Sequence, residues 1–394
     1  MENGFYFSLL MIRMLMQLVR YIFQTHIPTK INCALLIKKS MRMRLRNLMV
    51  YTKEIGCDTL VCFEPENLFY MTGFWGEAIG ILEKNGNTTI IAPELEVMRA
   101  KEDSIECNVV TSERGVGLLS TLVKILKGKK VCTDCQNYET MEKLKKSIPS
   151  IKHSVEPFYK ARIIKEESEI KILRKASKIL DEMYELCTRK IVRGLRESEL
   201  QSKLMSFAME QEMFSTGYRS TLNPLIIAGG PNGALPHAQV TNRKFVDGDL
   251  IVVDLTLRYK GYVSDATRTF GLGKISNKAK EAYEIVKDSQ ELGLKAVKPN
   301  VSCKSVDNAC RSYINEKNYG RYFIHSTGHG IGLEVHEFPN ISQKSETRLE
   351  KNMAITVEPG IYIQNKFGVR IEDSVIVKEK PIIMHRFTKE LIIL

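Results

Sequence analysis

At 394 residues, with 43% hydrophobic and 26% charged side chains, the chain is long enough for more than one core and too apolar for general disorder, so two domains are expected. The formal net charge of +12 suggests a polyanionic partner until it is located: residues 1–50 hold eight Lys or Arg against one acidic residue, and the rest of the chain carries only +5. No basic cluster interleaved with aromatic residues occurs there, which excludes a nucleic-acid groove; nine cysteines at irregular spacings, without a secretory signal, exclude a disulfide framework and point to reduced thiols in the cytoplasm.

Residues 4–23, GFYFSLLMIRMLMQLVRYIF, have the length of a bilayer span, but Arg13, Gln17, Arg20 and Gln24 recur at helical spacing as one polar stripe. A lipid-spanning helix with two arginines is costly, so no stable membrane insertion is expected, and the stretch lacks the early charge and small-residue cleavage site of a signal peptide. An interfacial helix, a packing arm and a leader preceding a start at Met41 or Met43 are left. The last is favoured because the domain-like pattern begins there, and residues 1–40 are expected to be an N-terminal extension outside the natural product.

From Met41, MRMRLRNLMVYTKEIG predicts an amphipathic helix, DTLVCF a strand, and PENLFYMTGF follows. Short strands (AIGILEK, TTIIAP, NVVTS, KVCTD) then alternate with helical stretches (ELEVMRAKE, VGLLSTLVKILKG, YETMEKLKKS), which makes residues 41–156 an α/β domain without concentrated chemistry. Cys132 and Cys135 form a CxxC in VCTDC; with no second pair or nearby His pair they are read as buried thiols at a strand end.

A linker around VEPFYKARIIKEESE leads into a long helix over EESEIKILRKASKILDEMYELCTRKI, and the second domain runs from 157 to 394. Strands dominate it, interrupted by helices at 196–213, 276–297 and 302–319, and it holds five of the seven histidines. GDLIVVDLTLRYKGYVSDATRTFGLG, residues 248–273, reads as a hairpin turning at Tyr259, Lys260 and Gly261. The eleven-residue separation of Asp254 and Asp265 then puts both carboxylates on one face. A second hairpin, AITVEPGIYIQNKFGVRIEDSVIV (354–377), carries Glu358 and Glu372 within β-branched runs, with Lys366 and Arg370 as candidate compensating cations.

One arginine does not neutralise four carboxylates. Hard oxygen donors joined by one imidazole from HSTGHGIGLEVHE (325–337) suit one or two divalent ions of the manganese, cobalt, iron or zinc kind. Gly328, Gly330 and Gly332 are read as giving the backbone room to approach that centre.

These residues resemble the Xaa-Pro peptidases, aminopeptidase P and prolidase, of the pita-bread metallopeptidases. The resemblance runs over residues 41–394 and rests on PENLFYMTGF, PHA (236–238), VVDLTLRYKGYVSDATRTF, HSTGHGIGLEVHE, EPGIY (358–362) and GVRIED (368–373), all in family order. It implies an α/β (α+β) fold, with a creatinase-type N-terminal domain followed by a catalytic pita-bread domain. It also implies two divalent metal ions, manganese or cobalt before zinc or iron, held by Asp254, Asp265, His329, Glu358 and Glu372.

The same resemblance implies Glu358 as general base, His336 steadying the substrate carbonyl or tetrahedral intermediate, and His237 and His325 lining the substrate side. Arg370 and Tyr362 match positions that support the ligands. His26, His153 and His385 match nothing. The implied substrates are short peptides with proline second, and the implied assembly a cytoplasmic homodimer.

The chain departs from the family pattern at two positions. Thr256 stands where many members have glycine, read as a tolerated β-branched residue. Asn340 stands where prolidase-like members often carry an arginine suited to a dipeptide's carboxylate, which argues against strict dipeptide specificity. Three alternatives stay open but fit less well: a methionine aminopeptidase-like enzyme, which normally lacks the first domain; a metal-free peptide-binding module on the same fold, which would be expected to lose ligands; and creatine-type amidinohydrolases, which lack the full set.

Overall fold

The computed structural model describes residues 38–218 and 221–394, so the reading of residues 4–23 lies outside the described residues. The chain divides into two compact units, at Pro157 and Phe158.

In the first unit a helix through residues 38–54 (α1) precedes β1 (Thr59–Cys62), α2 (Pro65–Thr72), β2 (Ile79–Glu83), β3 (Thr88–Pro93), α3 (Glu94–Asp103), β4 (Asn108–Ser112), α4 (Val116–Leu126), β5 (Val131–Thr133), α5 (Tyr138–Ser147) and β6 (Lys152–His153). The six strands form one sheet in the order β4-β3-β2-β1-β5-β6. The β1, β2 and β3 ladders are antiparallel, while β3–β4, β1–β5 and β5–β6 are parallel, each parallel pair needing a helical crossover. Val61, Ile81 and Ile91 meet Leu118, Leu122 and Leu144 in its core. Cys132 and Cys135 are buried free thiols there, one on β5 and one just past its end, and burial raises the pKa of both.

The stretch expected to be a linker contains a helix, α6 (Glu156–Ile163). Its charged composition hides a buried stripe of Phe158, Ala161 and Arg162, spaced three and four residues apart. Next comes α7 (Glu167–Lys190), started by a capping box in which Glu169 accepts from the Glu166 N–H at 2.8 Å. The following helix, α8, spans Glu197–Glu210, short of the expected 213, because the chain turns through left-handed Glu212 into β7 (Met213–Ser215). β8 (Ile226–Gly229), β9 (Leu250–Tyr259) and β10 (Tyr262–Gly271) complete an antiparallel sheet in which β9 pairs β10 along one edge and β7 and β8 along the other.

Ser276 and Ser302 cap α9 (Asn277–Ala296) and α10 (Cys303–Glu316), the latter ending before left-handed Asn318. The remaining strands are β11 (Gly328–Gly330), β12 (Glu337–Ile341), β13 (Ala354–Val357), β14 (Gly360–Ile363), β15 (Phe367–Arg370), β16 (Asp373–Ile376) and β17 (Ile382–Ile383). They form a five-stranded sheet, β12-β11-β13-β16-β17, and the pair β14-β15.

Alternation places the site. Ile251, Val253, Leu255 and Leu257 of β9 enter a core with Ile179, Leu180 and Met183 of α7, so Asp254 and Thr256 face the other way. Ile355, Val357, Val369 and Ile371 join a second core with Ala282 and Val286 of α9, which leaves Arg370 and Glu372 on the opposite face. No described helix is long and apolar enough to cross a membrane.

Candidate metal centre

The first hairpin turns through Lys260 and Gly261, both at positive φ, and pairs Asp254 with Thr267 and Asp265 with Thr256. The two aspartates are thus diagonal neighbours on one face. Thr256 lies between them, its Oγ1 2.8 Å from Asp265 Oδ1 and 3.2 Å from Asp254 Oδ1. Its single hydrogen serves the nearer carboxylate, so this residue is part of the site rather than a tolerated substitution.

The second hairpin is two ladders, β13–β16 and β14–β15, that keep one register across a break. Extending the pairs Val357 with Asp373 and Gly360 with Arg370 inward sets Glu358 opposite Glu372, both in the unpaired gap. Glu372 instead donates its N–H to the Thr267 carbonyl at 3.1 Å, joining the two sheets, and its Oε2 accepts from Thr267 Oγ1 at 2.7 Å. Its Oε1 is buried with no partner. The Arg268 guanidinium donates to the Glu372 carbonyl at 2.6 Å and to Asp373 Oδ1 at 2.7 Å, fixing this strand from behind.

His329 sits on β11, where Gly328 and Gly330 have a different task from the one expected. A Cβ at Gly328 would lie 2.1 Å from the Thr356 carbonyl oxygen and one at Gly330 2.1 Å from that of Phe338. The glycines make room for neighbouring strands rather than for the centre. The Nδ1 of His329 faces the Gly330 carbonyl at 3.0 Å; a carbonyl only accepts, so Nδ1 carries the hydrogen and Nε2 presents its lone pair. Nε2 lies 3.5 Å from Glu358 Oε1 and 3.7 Å from Asp265 Oδ2. One donor atom each from Asp265, His329 and Glu372 falls within 4.8 Å of the others.

Charge in this cluster is under-compensated. Arg370 donates to Asp254 Oδ2 at 2.5 Å, to Thr267 Oγ1 at 3.1 Å and to the Tyr362 hydroxyl at 2.7 Å. Lys366 is exposed in the β14–β15 turn and neutralises nothing here. Burial, and then the charges of Asp254 and Glu358, push the Asp265 carboxyl well above the usual range; burial, Asp265 and Glu358 do the same to Glu372. Burial and Asp254 outweigh Arg370 and lift Glu358 to about 8. Burial and His336 push His329 down to about 3, keeping it neutral. Buried carboxylates that resist ionising together, an unpartnered Glu372 oxygen and a lone-pair imidazole form a donor set that fits divalent cations.

The carboxylates and His329 line one cavity of about 980 Å³, together with His237, His325, His336, Arg370 and Asn340. His336 packs edge-on against His329, with ring centroids 4.3 Å apart, and His237 is exposed at the cavity wall. His325 is engaged. Its Nδ1 donates to the Ser326 carbonyl at 2.7 Å, so Nε2 accepts the Tyr362 hydroxyl hydrogen at 3.0 Å. Burial and then Arg370 lower its pKa to about 3. His153 is exposed on β6, and His385 is buried 3.7 Å from Asp181, outside the cavity lining.

Sequence reasoning missed Thr267 as a partner of both Glu372 and Arg370. Its position two residues beyond Asp265, on the same strand face, was the available signal.

Residues 171–379 match the model of metallopeptidase family M24, and residues 44–164 that of the creatinase/prolidase N-terminal domain. An Xaa-Pro dipeptidase of Pyrococcus furiosus is 37% identical over 344 residues, 86% of this chain and 96% of that protein. The solved Xaa-Pro dipeptidase from Bacillus anthracis superposes with a TM-score of 0.82 at 34% identity, covering 89% of this chain and 99% of that one. An X-Pro aminopeptidase from Thermotoga maritima gives 0.79 at 29% identity, covering 89% and 99%.

Proposed function

The chain belongs to metallopeptidase family M24, with a creatinase/prolidase domain before the catalytic one, and from that premise we propose that it is an Xaa-Pro peptidase hydrolysing the bond between an N-terminal residue and a following proline. The observation that carries the reading is the facing of Asp254, Asp265, His329, Glu358 and Glu372 into one cavity, with a buried Glu372 oxygen left for a ligand. We assign the five residues to two divalent ions, manganese or cobalt, in a cytoplasmic homodimer. Residues 41–156 form the N-terminal domain and 157–394 the catalytic one.

Divalent ions, when bound, polarise the scissile carbonyl and bring the pKa of water near neutrality. Glu358 takes the proton of the attacking water on its carboxylate and returns it to the prolyl nitrogen. That nitrogen carries no hydrogen in the peptide and must gain one to leave. The His336 ring, directed into the cavity, steadies the oxygen on which charge develops. Arg370 holds Asp254 in orientation through its bond to Oδ2, while Tyr362 and Arg370 hold His325 at the substrate side with His237. Asn340, a neutral amide on the cavity wall, suits the internal peptide bond of a longer substrate as well as a dipeptide.

The test is hydrolysis of Ala-Pro, Ala-Pro-Ala and Met-Ala-Ala by metal-stripped protein, then with manganese, cobalt or zinc restored. Cleavage of the proline peptides is expected to vanish on stripping, return with ions, and stay absent in Asp265→Ala. Cleavage of Met-Ala-Ala alone would move the assignment to a methionine aminopeptidase; turnover indifferent to chelator would end the metal reading.

A further inference from the structure

His336 ends an irregular segment, residues 331–336, between β11 and β12. Its ring makes no hydrogen bond among the described residues; it has only ring contacts with His329 at 4.3 Å and Tyr218 at 5.1 Å between centroids. The backbone of the segment therefore decides where the ring points. The next residue, Glu337, turns its carboxylate back onto that backbone, Oε1 accepting from the Leu333 N–H at 2.8 Å and the Glu334 N–H at 3.2 Å. Gly332 vacates the space this requires, since a Cβ there would lie 2.6 Å from Glu337 Oε2. The Gly332 carbonyl in turn accepts from the Val263 N–H at 2.7 Å, tying the segment to the strand that bears Asp265.

Two buried cations hold the carboxylate. Arg162 Nη2 donates to Glu337 Oε1 and, at 2.7 Å, to Glu334 Oε2. Lys165 Nζ donates to Glu337 Oε2 and to the Arg162 carbonyl, both at 2.8 Å. The side chains of Arg162, Lys165 and Glu337 are 6%, 1% and 6% exposed. Burial acts to raise the Glu337 carboxyl, but the two cations hold it at about 2, so it stays ionised. A buried ion cluster adds little net stability over well-packed apolar residues; what it fixes is geometry, through directed charge-assisted bonds.

Resting on the reading of His336 given above, we infer that Glu337, clamped by Arg162 and Lys165, is the positioning residue that aims His336 at the reacting carbonyl. The end of α6 and the residues after it thus hold the segment that presents His336.

The experiment measures kcat and KM for Ala-Pro-Ala with the ion-loaded full chain, in the wild type, Glu337→Gln, His336→Ala and the double variant, with bound ion counted in each. Glu337→Gln is expected to lower kcat by about 10- to 100-fold, the scale of an ångström-sized misplacement, with KM and ion content little changed. In the double variant kcat is expected to equal that of His336→Ala, because effects through one residue do not multiply. A double variant slowed by the product of the single effects, or loss of ions in Glu337→Gln, overturns the positioning role while leaving His336 in place. Full kcat in His336→Ala overturns the underlying reading and the inference with it. Should Glu337→Gln fail to fold, Lys165→Met keeps one cation on the carboxylate, and its smaller kcat loss must likewise disappear in the His336→Ala background.

Discussion

The hydroxyl of Thr267 serves two charges, donating to Glu372 Oε2 at 2.7 Å and accepting from Arg370 Nε at 3.1 Å. Replacing it by valine keeps the shape and removes both bonds. Glu372, which already has one unpartnered buried oxygen, would then have two. Thr267→Val is expected to cost about 1–3 kcal/mol of stability and about 10- to 100-fold in ion affinity, read by denaturant melts and by calorimetric titration of the stripped protein with manganese. Unchanged affinity would show that Glu372 needs no such support. At this scale the carboxylates were legible, because aspartate and glutamate inside β-branched runs call for a compensating charge. Thr256 and Thr267 were not, since threonine is an ordinary strand residue and its task depends on what lies across from it. Lys366 misled for the converse reason: a cation close in sequence sits on the turn, while Arg370, a few residues on, faces inward.

A comparable limit holds for the elements. The β9–β10 hairpin could be read directly, as alternation and a Lys-Gly turn fix its register and put Asp254 and Asp265 on one face. The second hairpin was legible in extent but not in its break at Glu358 and Glu372, because nothing local announces that Glu372 will bond the Thr267 carbonyl of another sheet. α6 was hidden because one of the three residues in its buried stripe is Arg162, whose partners lie about 170 residues away. β11 shows how closely these elements pack. A methyl group at Gly328 meets a carbonyl of β13, which cannot move aside without disturbing the ladder to β16. Gly328→Ala is therefore expected to lower the melting temperature by several degrees, the equivalent of about 1–3 kcal/mol of overpacking, and to weaken ion binding through its neighbour His329. An alanine variant with wild-type melting and affinity would mean that β11 can shift freely.

Across the whole molecule, chemistry and core are divided unequally. Residues 38–157 close their own core and none of them lines the cavity, whereas residues 158–394 surround a group of carboxylates that repel one another until positive charge arrives. An ion that binds only the folded form stabilises it by mass action, about 2.7 kcal/mol at one hundred times its dissociation constant. That stabilisation belongs to the strands supplying its ligands. Adding manganese to stripped protein is therefore expected to slow amide hydrogen exchange in β9, β10, β11 and the β13–β16 ladder, while β1 to β5 exchange as before. Equal slowing in both groups of strands would mean that the two units unfold together. Slowing in neither would mean that the carboxylates and His329 hold no ion.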